Sequence, residues 1–339
     1  MRSGHRLVLG LVLVASAGPA RAAGATVPPS SEAPVSPAPA TPSAGCSAAP
    51  GAADRDVPLT VGDTAGRYLL HVPPGKQGPL PVVISMHGYS SSVEVQVQLT
   101  GLGPFGDTAG FVTVTPQITR DVPRWVLTPR GPDVAFVGAV LDDVAATTCV
   151  DTSRVYVVGM SNGAMMTSRL ACDLSDRVAA FAMVTGLLDP PECTPGRPVP
   201  VLAIHGTADP FVPYDGGVGP GVALLPSADG SGPIGTVPDA VLPPEMLTTV
   251  PQRIAAWAAR DGCDATVTPD PVSDDVDEFD YTCPAGVDVQ LWRVDGGGHT
   301  WPGSQFLVAV SKMVGPTTMS VSANDVIWAF FQRFTVPGS

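Results

Sequence analysis

Two short apolar runs open the regular part of the chain. They cover residues 57–61 and 68–72, and Gly62 and Asp63 between them favour a tight turn. This spacing predicts an opening β-hairpin. We place the start of the folded domain near it and expect a single domain over 51–337.

Five further apolar runs follow, and each is short and nearly free of polar residues. Strands that are buried on both faces of a parallel sheet have this character. The runs cover residues 81–86, 111–115, 155–159, 178–184 and 199–204.

Helical patterns lie between these runs. Residues 134–146 place their apolar side chains on one stripe, and residues 162–171 follow a predicted strand directly. Alternating strands and helices predict the α/β class, with a mostly parallel central sheet flanked by helices. Near the end of the chain, Ser322 and Asp325 resemble a capping box that opens a last helix.

One long segment has no periodicity. Residues 216–244 are rich in Gly and Pro, which predicts a long surface loop. Because this loop follows a candidate catalytic acid, we consider it a candidate lid or substrate-binding loop.

The first residues have the layout of a cleavable secretory signal peptide. Residues 1–22 begin with a basic stretch that carries Arg2 and Arg6, continue with an apolar run that is too short to span a membrane, and end with small residues at the predicted cleavage site. We therefore expect a secreted, extracellular protein with no membrane partner. A lipoprotein would need a cysteine directly after the apolar run, whereas the first cysteine is Cys46. Residues 23–50 are dominated by Ala, Pro and Ser, which predicts a flexible leader.

Charge excludes one class of partner. The formal net charge is −13 at pH 7, and removal of the three arginines of the signal would make it more negative. Such a surface repels phosphate backbones, so we expect no nucleic-acid partner.

The six cysteines form an even set in a chain that we expect to be exported, and six cysteines allow fifteen pairings. No two of them have the tight spacing of a zinc site, and we expect no metal. The main alternative to a complete set of disulfides is a free, buried Cys149. The preferred pairs are Cys263 with Cys283, Cys172 with Cys193 and, by remainder, Cys46 with Cys149.

A candidate nucleophile lies between a predicted strand and a predicted helix. Residues 159–163 read Gly-Met-Ser-Asn-Gly and match G-x-S-x-G, with Ser161 at the centre. In the α/β-hydrolase fold this pentapeptide forms the nucleophile elbow, a turn so sharp that only small residues fit beside the serine. The pentapeptide alone is a weak signal, but its position between strand and helix strengthens it.

A serine needs a base and an acid, which follow the nucleophile along the chain in this fold. His299 is the one histidine that comes late, in a glycine-rich loop, although an incidental histidine in a turn is the alternative. Asp209 follows a predicted strand and would orient the imidazole. Asp215 is a rival acid. His205 lies four residues before Asp209, but Pro210 opposes the helix that a metal site at this spacing would need.

The reaction also requires donors for an oxyanion and a surface for the substrate. We expect the backbone amides of Asn162 and Tyr89 to serve as the donors. Trp125 and Trp301 are candidate substrate-binding residues, and packing in the core is an equal alternative for each. The acidic residues between 274 and 280 predict a solvated loop rather than a calcium site.

At these motifs the chain resembles the secreted esterases of the polyhydroxybutyrate depolymerase family, which are similar to feruloyl and acetylxylan esterases. The resemblance implies the roles already argued for Ser161, Asp209 and His299, and it supports the cysteine pairing. The chain departs from the family at Tyr89-Ser90 and in the length of its loop over 216–244. The matching pieces are Met86-His87-Gly88, residues 154–166, His205-Gly206-Thr207-Ala208-Asp209, Val212-Pro213-Tyr214 and residues 297–303.

These observations predict a serine esterase that works through an acyl-enzyme. We expect no cofactor and a monomeric protein. The expected substrate is an ester, and its candidates include polymeric esters. The alternatives are a feruloyl or acetylxylan esterase acting on plant polysaccharide and a serine peptidase of the same fold. A noncatalytic polymer-binding protein would lack a complete triad, and tight adsorption to an insoluble polymer is not expected because no appended binding domain is recognisable.

Overall fold

This computed structural model describes residues 39–47, 51, 53–235, 237 and 242–337. The predicted signal peptide and the first part of the predicted leader lie outside the described residues. Within them, no helix combines the length and the apolar character that crossing a membrane requires.

The strands of the described residues form one sheet. Its order is β1-β2-β4-β3-β5-β6-β7-β10-β9-β8. The six strands from β4 to β10 in this order run parallel, and the pairs at both edges are antiparallel. The strands are β1 Asp54–Val61, β2 Thr64–His71, β3 Leu80–Met86, β4 Val112–Ile118, β5 Val150–Met160, β6 Ala180–Val184, β7 Val201–Gly206, β8 Asp270–Ser273, β9 Val276–Tyr281 and β10 Val289–Val294.

Helices cover both faces of this sheet. Residues of α3, α4 and α6 pack with one core cluster, and residues of α2 and α9 pack with a second cluster on the opposite face. Short 3-10 turns occur at Ala44–Ser47 and Pro220–Leu224. The helices are α1 Val93–Thr100, α2 Leu102–Ala109, α3 Pro132–Thr147, α4 Asn162–Asp173, α5 Pro244–Leu247, α6 Val250–Arg260, α7 Gln305–Val308, α8 Ser311–Val314 and α9 Ala323–Phe331.

The central strands are apolar on both faces, as the sequence pattern requires. Along β5, Val155 and Val157 belong to one core cluster, while Tyr156 and Val158 belong to the other. Because successive side chains of a strand point to opposite faces, a strand between two helical layers needs apolar residues at every position. The predicted α/β class with a mostly parallel sheet is confirmed.

The predicted elements at the two ends of the domain are also confirmed. β1 and β2 pair as an antiparallel hairpin, in which Val61 lies opposite Thr64. At the start of α9, the Ser322 side chain accepts a hydrogen bond from the amide of Asp325.

The acidic segment near residue 275 differs from its prediction. It was expected to be a solvated loop, but its residues from Val276 onward form β9, which pairs with β8 on one side and β10 on the other. Val276 and Tyr281 are buried, whereas the acidic side chains between them are partly or fully exposed. The backbone therefore gains partners in the sheet while the charges stay in contact with water.

The predicted flexible leader is wrong for residues 39–47. The amide of Thr41 donates to Asp151 Oδ1 at 2.9 Å, and Pro42 forms a β-bridge with Asp151. The side chain of Ser43 is buried and donates to the backbone oxygen of Thr148 at 2.8 Å. These contacts attach the segment to the start of β5.

The cysteines of the described residues form the three preferred pairs, and none of them is free. The bond between Cys46 and Cys149 fixes the N-terminal segment to the domain. It excludes the alternative in which Cys149 is a free, buried thiol.

Candidate active site

Parallel strands end at a common edge, and three of them deliver the candidate residues there. Ser161 follows β5 directly, Asp209 lies three residues after β7, and His299 lies five residues after β10. These strands are close neighbours in the order β5-β6-β7-β10. In open parallel sheets, the carboxyl ends of the strands are where sites form.

Ser161 occupies a strained turn. Its φ of 58° and ψ of −126° lie in a region that residues other than glycine rarely adopt. Its amide donates to the backbone oxygen of Val184 at 3.0 Å, which helps to hold the turn. The neighbouring glycines are required by close approach: a Cβ on Gly163 would lie 2.1 Å from the backbone oxygen of Met86. This is the geometry of a nucleophile elbow.

His299 and Asp209 form a buried pair. The imidazole Nδ1 lies 2.8 Å from Asp209 Oδ2. Because a carboxylate only accepts, Nδ1 carries a proton, and in the neutral form of the ring Nε2 is then the acceptor that a general base requires. The rival acid Asp215 has an exposed side chain and is not part of this pair.

The second oxygen of Asp209 is also satisfied. Asp209 Oδ1 accepts from the amides of Phe211 at 2.8 Å and Val212 at 2.9 Å. Burial raises the pKa of Asp209, but the attraction and hydrogen bond of His299 and the neighbouring donors outweigh it, so the pKa lies below its ordinary value. The carboxylate is therefore ionised and fixed in one orientation.

The loop that carries His299 is held from both sides. The amide of His299 donates to the backbone oxygen of Val314 at 2.6 Å. Further along, Ser304 Oγ donates to the backbone oxygen of Leu99 in α1 at 2.7 Å. Residues 296–304 therefore connect the end of β10 with α1, the helix that follows β3. Among the hydrogen bonds of the described residues, none joins Ser161 to His299, and such bonds often tighten only when substrate binds.

His205 supports residues 207–212, the loop after β7 that carries Asp209 and that we call the acid loop; sequence reasoning missed this role. Its Nε2 donates to the backbone oxygen of Val212 at 2.8 Å and lies 3.5 Å from Asp209 Oδ2. Burial lowers the pKa of His205, so the ring is neutral. The described residues contain no group of His, Cys, Asp or Glu side chains that suits a metal ion. The available signal was the His-Gly-Thr-Ala-Asp pentapeptide, which places this ring beside the acid.

The loop after β3 lies against the nucleophile. A Cβ on Gly88 would lie 3.5 Å from the Cβ of Ser161. His87 Nδ1 donates to the backbone oxygen of Gly88 at 2.8 Å, and burial lowers the pKa of His87 to about 4, so this ring is neutral as well. Asn162 is the first residue of α4, and its Oδ1 accepts from the amide of Trp125 at 2.7 Å.

The two tryptophans do not form a substrate surface. Trp125 is 3% exposed, and its indole N–H donates to the backbone oxygen of His87 at 3.0 Å. Trp301 is 1% exposed and donates to Asn324 Oδ1 at 3.0 Å. The substrate-binding prediction is wrong for both, because their rings are packed and their polar atoms are already bonded within the protein. Trp125 instead braces the loop beside Ser161.

Comparison with known families gives a consistent result. A family described as "Esterase PHB depolymerase" matches residues 66–192. A protein of Nocardia uniformis subsp. tsuyamanensis, described as "Putative esterase NocK", is 31% identical over 284 residues, which are 77% of this chain and 78% of that protein. "Feruloyl esterase B" of Piromyces equi is 27% identical over 172 residues, which are 49% of this chain and 28% of that protein.

A solved structure shows the same fold at low identity. The acetyl xylan esterase from Aspergillus awamori superposes with a TM-score of 0.52 and 14% identity, covering 78% of this chain and 94% of that chain. At this identity the similarity concerns the fold alone.

Proposed function

The chain belongs to the PHB depolymerase family of esterases, and from this premise we propose that Ser161, His299 and Asp209 carry out the hydrolysis. It is a carboxylic ester hydrolase of the serine hydrolase class, with the α/β-hydrolase fold. The observation that carries the assignment is the 2.8 Å bond between His299 Nδ1 and Asp209 Oδ2 at the strand edge where Ser161 lies.

In the first half of the reaction, His299 Nε2 takes the proton of the Ser161 hydroxyl as its oxygen attacks the ester carbonyl. The tetrahedral intermediate then collapses, and the imidazolium gives its proton to the leaving alcohol. Asp209, ionised and held by three donors, stabilises the imidazolium in between. The product of this half is an acyl-enzyme on Ser161.

In the second half, His299 takes a proton from water, which attacks the acyl carbon. The same proton returns to Ser161 as the carboxylic acid leaves. Every proton transfer uses the same base, His299, and this sequence of steps requires no cofactor.

The negative oxygen of both intermediates needs donors. We assign the backbone amides of Asn162 and Tyr89 to this role. Asn162 starts α4, whose N-terminus favours negative charge, and Gly88 beside Tyr89 approaches Ser161 closely.

For the natural substrate, we propose a short hydroxyacid ester, by analogy with the family. Feruloyl or acetyl esters of plant polysaccharide are the second candidate, because relatives include proteins described as feruloyl esterases and as a bifunctional acetylxylan esterase/xylanase. A panel of hydroxybutyrate oligomers, methyl ferulate and acetylxylan would rank them. Matched ester and anilide substrates would test the peptidase alternative.

We further propose that the protein is exported, on the basis of the signal-like first residues and the three disulfides, since such bonds persist in oxidising compartments. Expression with residues 1–22 should release a shortened protein to the medium, and removal of these residues should retain it in the cell.

The assignment is tested by Ser161→Ala. We expect the rate of p-nitrophenyl butyrate hydrolysis to fall by about 10³-fold or more, with unchanged thermal unfolding. The matched control is Ser47→Ala, because Ser47 is exposed in the segment that is attached to the start of β5, whereas Ser161 follows the end of that strand. Wild-type rates in Ser161→Ala would discard the assignment.

A further inference from the structure

The loop between β7 and α6 contains a built segment, residues 219–235, which we call the arch. Its first residues are attached to the acid loop. The amide of Gly219 donates to the backbone oxygen of Phe211 at 3.0 Å, and that of Gly221 to Pro210 at 2.9 Å. A Cβ on Gly221 would lie 2.9 Å from the Phe211 ring, so the backbone of the arch lies directly on this ring. The ring in turn lies 5.0 Å from the imidazole of His299.

The arch has an internal structure of its own. The amide of Ser227 donates to the backbone oxygen of Gly232 at 2.6 Å, and that of Ile234 to Leu225 at 2.7 Å. Pro226 and Pro233 form a β-bridge between these pairs. The arch is therefore a hydrogen-bonded hairpin, although its sequence has no periodicity.

The far end of the arch is bonded to the loops after β3 and β4. The hydroxyl of Tyr89 donates to the backbone oxygen of Pro226 at 3.0 Å. Arg124 Nη1 donates to the backbone oxygen of Ala228 at 3.0 Å. The same Tyr89 supplies one of the proposed oxyanion amides. The arch is therefore bonded both to the acid loop and to the residue that supplies an oxyanion donor.

The order of the strands tells where the arch runs. It is attached to the loop after β7 at Gly219 and Gly221 and to the loop after β3 at Pro226, and β6 and β5 lie between these two strands. Neighbouring strands are about 4.8 Å apart, so the ends of β7 and β3 are about 14 Å apart. The direct path between them crosses the ends of β6 and β5, where Ser161 lies.

We propose that the arch determines specificity by admitting soluble esters of short or pendant acyl groups and excluding the surface of an insoluble polyester. This rests on the proposed function of Ser161. A nucleophile must come within about 3.5 Å of the carbonyl carbon, which a flat polymer surface cannot achieve beneath a fixed hairpin. A small ester, or the free end of a single chain, reaches the serine from the side.

The decisive variant replaces residues 222–234 with a short Gly-Ser linker. The probes are p-nitrophenyl acetate, a soluble hydroxybutyrate trimer and amorphous polyhydroxybutyrate particles. We expect the wild type to hydrolyse the two soluble probes and to leave the particles nearly intact. In the shortened variant, the ratio of particle hydrolysis to trimer hydrolysis should rise by about tenfold or more.

A milder variant keeps the hairpin and removes one attachment. Tyr89→Phe deletes the hydroxyl that bonds Pro226 but keeps the ring and the backbone amide, and it should shift the same ratio by about fivefold, the worth of one hydrogen bond. Tyr281→Phe is the matched control, since it removes a hydroxyl from β9 and should leave the ratio unchanged. Circular dichroism melting verifies that each variant is folded. If the shortened variant does not fold, Tyr89→Phe alone tests the role of the arch.

The outcomes separate the two proposals. A wild type that degrades particles as readily as the trimer, or folded variants with an unchanged ratio, would overturn the role of the arch. A wild type without activity on p-nitrophenyl acetate would instead reject the proposed function.

Discussion

Asp209 and Asp261 are both buried carboxylates, at 5% and 3% exposure, yet their surroundings differ. Asp209 has His299 on one oxygen and two backbone amides on the other. Asp261 accepts one bond of 3.2 Å, from the amide of Val199, and its Oδ2 has no partner within the described part of the chain. Asp261 also caps the C-terminal end of α6, where the helix dipole disfavours negative charge.

The difference appears in their pKa values. The pKa of Asp209 lies below its ordinary value because its partners outweigh the cost of burial. Burial raises the pKa of Asp261 to about 7, since its partners are too few to offset it. Burial by itself therefore does not provide a charge that can orient an imidazole. The hydrogen-bond donors around the Asp209 carboxylate keep it ionised.

The largest expected effect separates the two carboxylates by activity. Asp209→Asn should lower kcat by about 10³- to 10⁴-fold, because an amide no longer fixes the productive tautomer of His299. Asp261→Asn should leave kcat unchanged. Initial rates with p-nitrophenyl butyrate at pH 8 measure both. Equal losses in the two variants would remove the distinction between them.

A smaller effect should come from the support of the acid loop. His205→Leu removes the donor to Val212, and we expect kcat to fall by about 10- to 100-fold with little change in KM, because the loop that carries Asp209 is displaced. His205→Gln keeps a donor and should recover part of the loss. If both variants retain the wild-type kcat, the ring is not a positioning residue.

The smallest effect concerns stability and has opposite signs at the two sites. Between its ordinary pKa of 3.8 and about 7, Asp261 holds a proton in the folded state that the unfolded state has lost. Its contribution to stability is thus present below pH 4 and disappears as the pH rises to 7. Asp261→Asn should raise the free energy of unfolding at pH 8 by up to about 4 kcal/mol and leave it nearly unchanged near pH 4.

Asp209 should behave in the opposite way. Because its folded pKa is lowered, its contribution is present above the ordinary pKa and is lost as the pH falls, so Asp209→Asn should be less stable than the wild type at pH 8. Urea unfolding from pH 4 to pH 8 measures both variants. A gain in stability for Asp209→Asn at pH 8 would contradict the comparison.

The parts of the fold that were predictable have local signals. β5 is apolar at successive positions because helices cover both faces, and Gly159 beside Ser161 is required by the backbone of Gly163, four residues further along. The parallel sheet and the G-x-S-x-G motif follow from such patterns, whereas the contact of Gly163 with the backbone of Met86 is distant in sequence. His299 was identified by its position along the chain.

The other parts depend on partners that are distant in sequence. β9 is rich in acidic residues and becomes a strand because β10 offers it a backbone ladder. Residues 39–47 have the composition of a flexible leader but are held by Asp151 and Cys149. The burial of Trp125 depends on a carbonyl 38 residues away, which no local pattern indicates.

The bond between Cys46 and Cys149 encloses a sequence separation of 103 residues, which includes the exposed loop around Lys76. A single tryptic cut after Lys76 would therefore produce two peptides that remain one covalent species. On an electrophoresis gel the nicked enzyme would migrate as a chain of nearly full mass, and only a thiol reagent would release the fragments. Limited digestion followed with and without reductant thus reports directly on whether the two ends of this ring are joined.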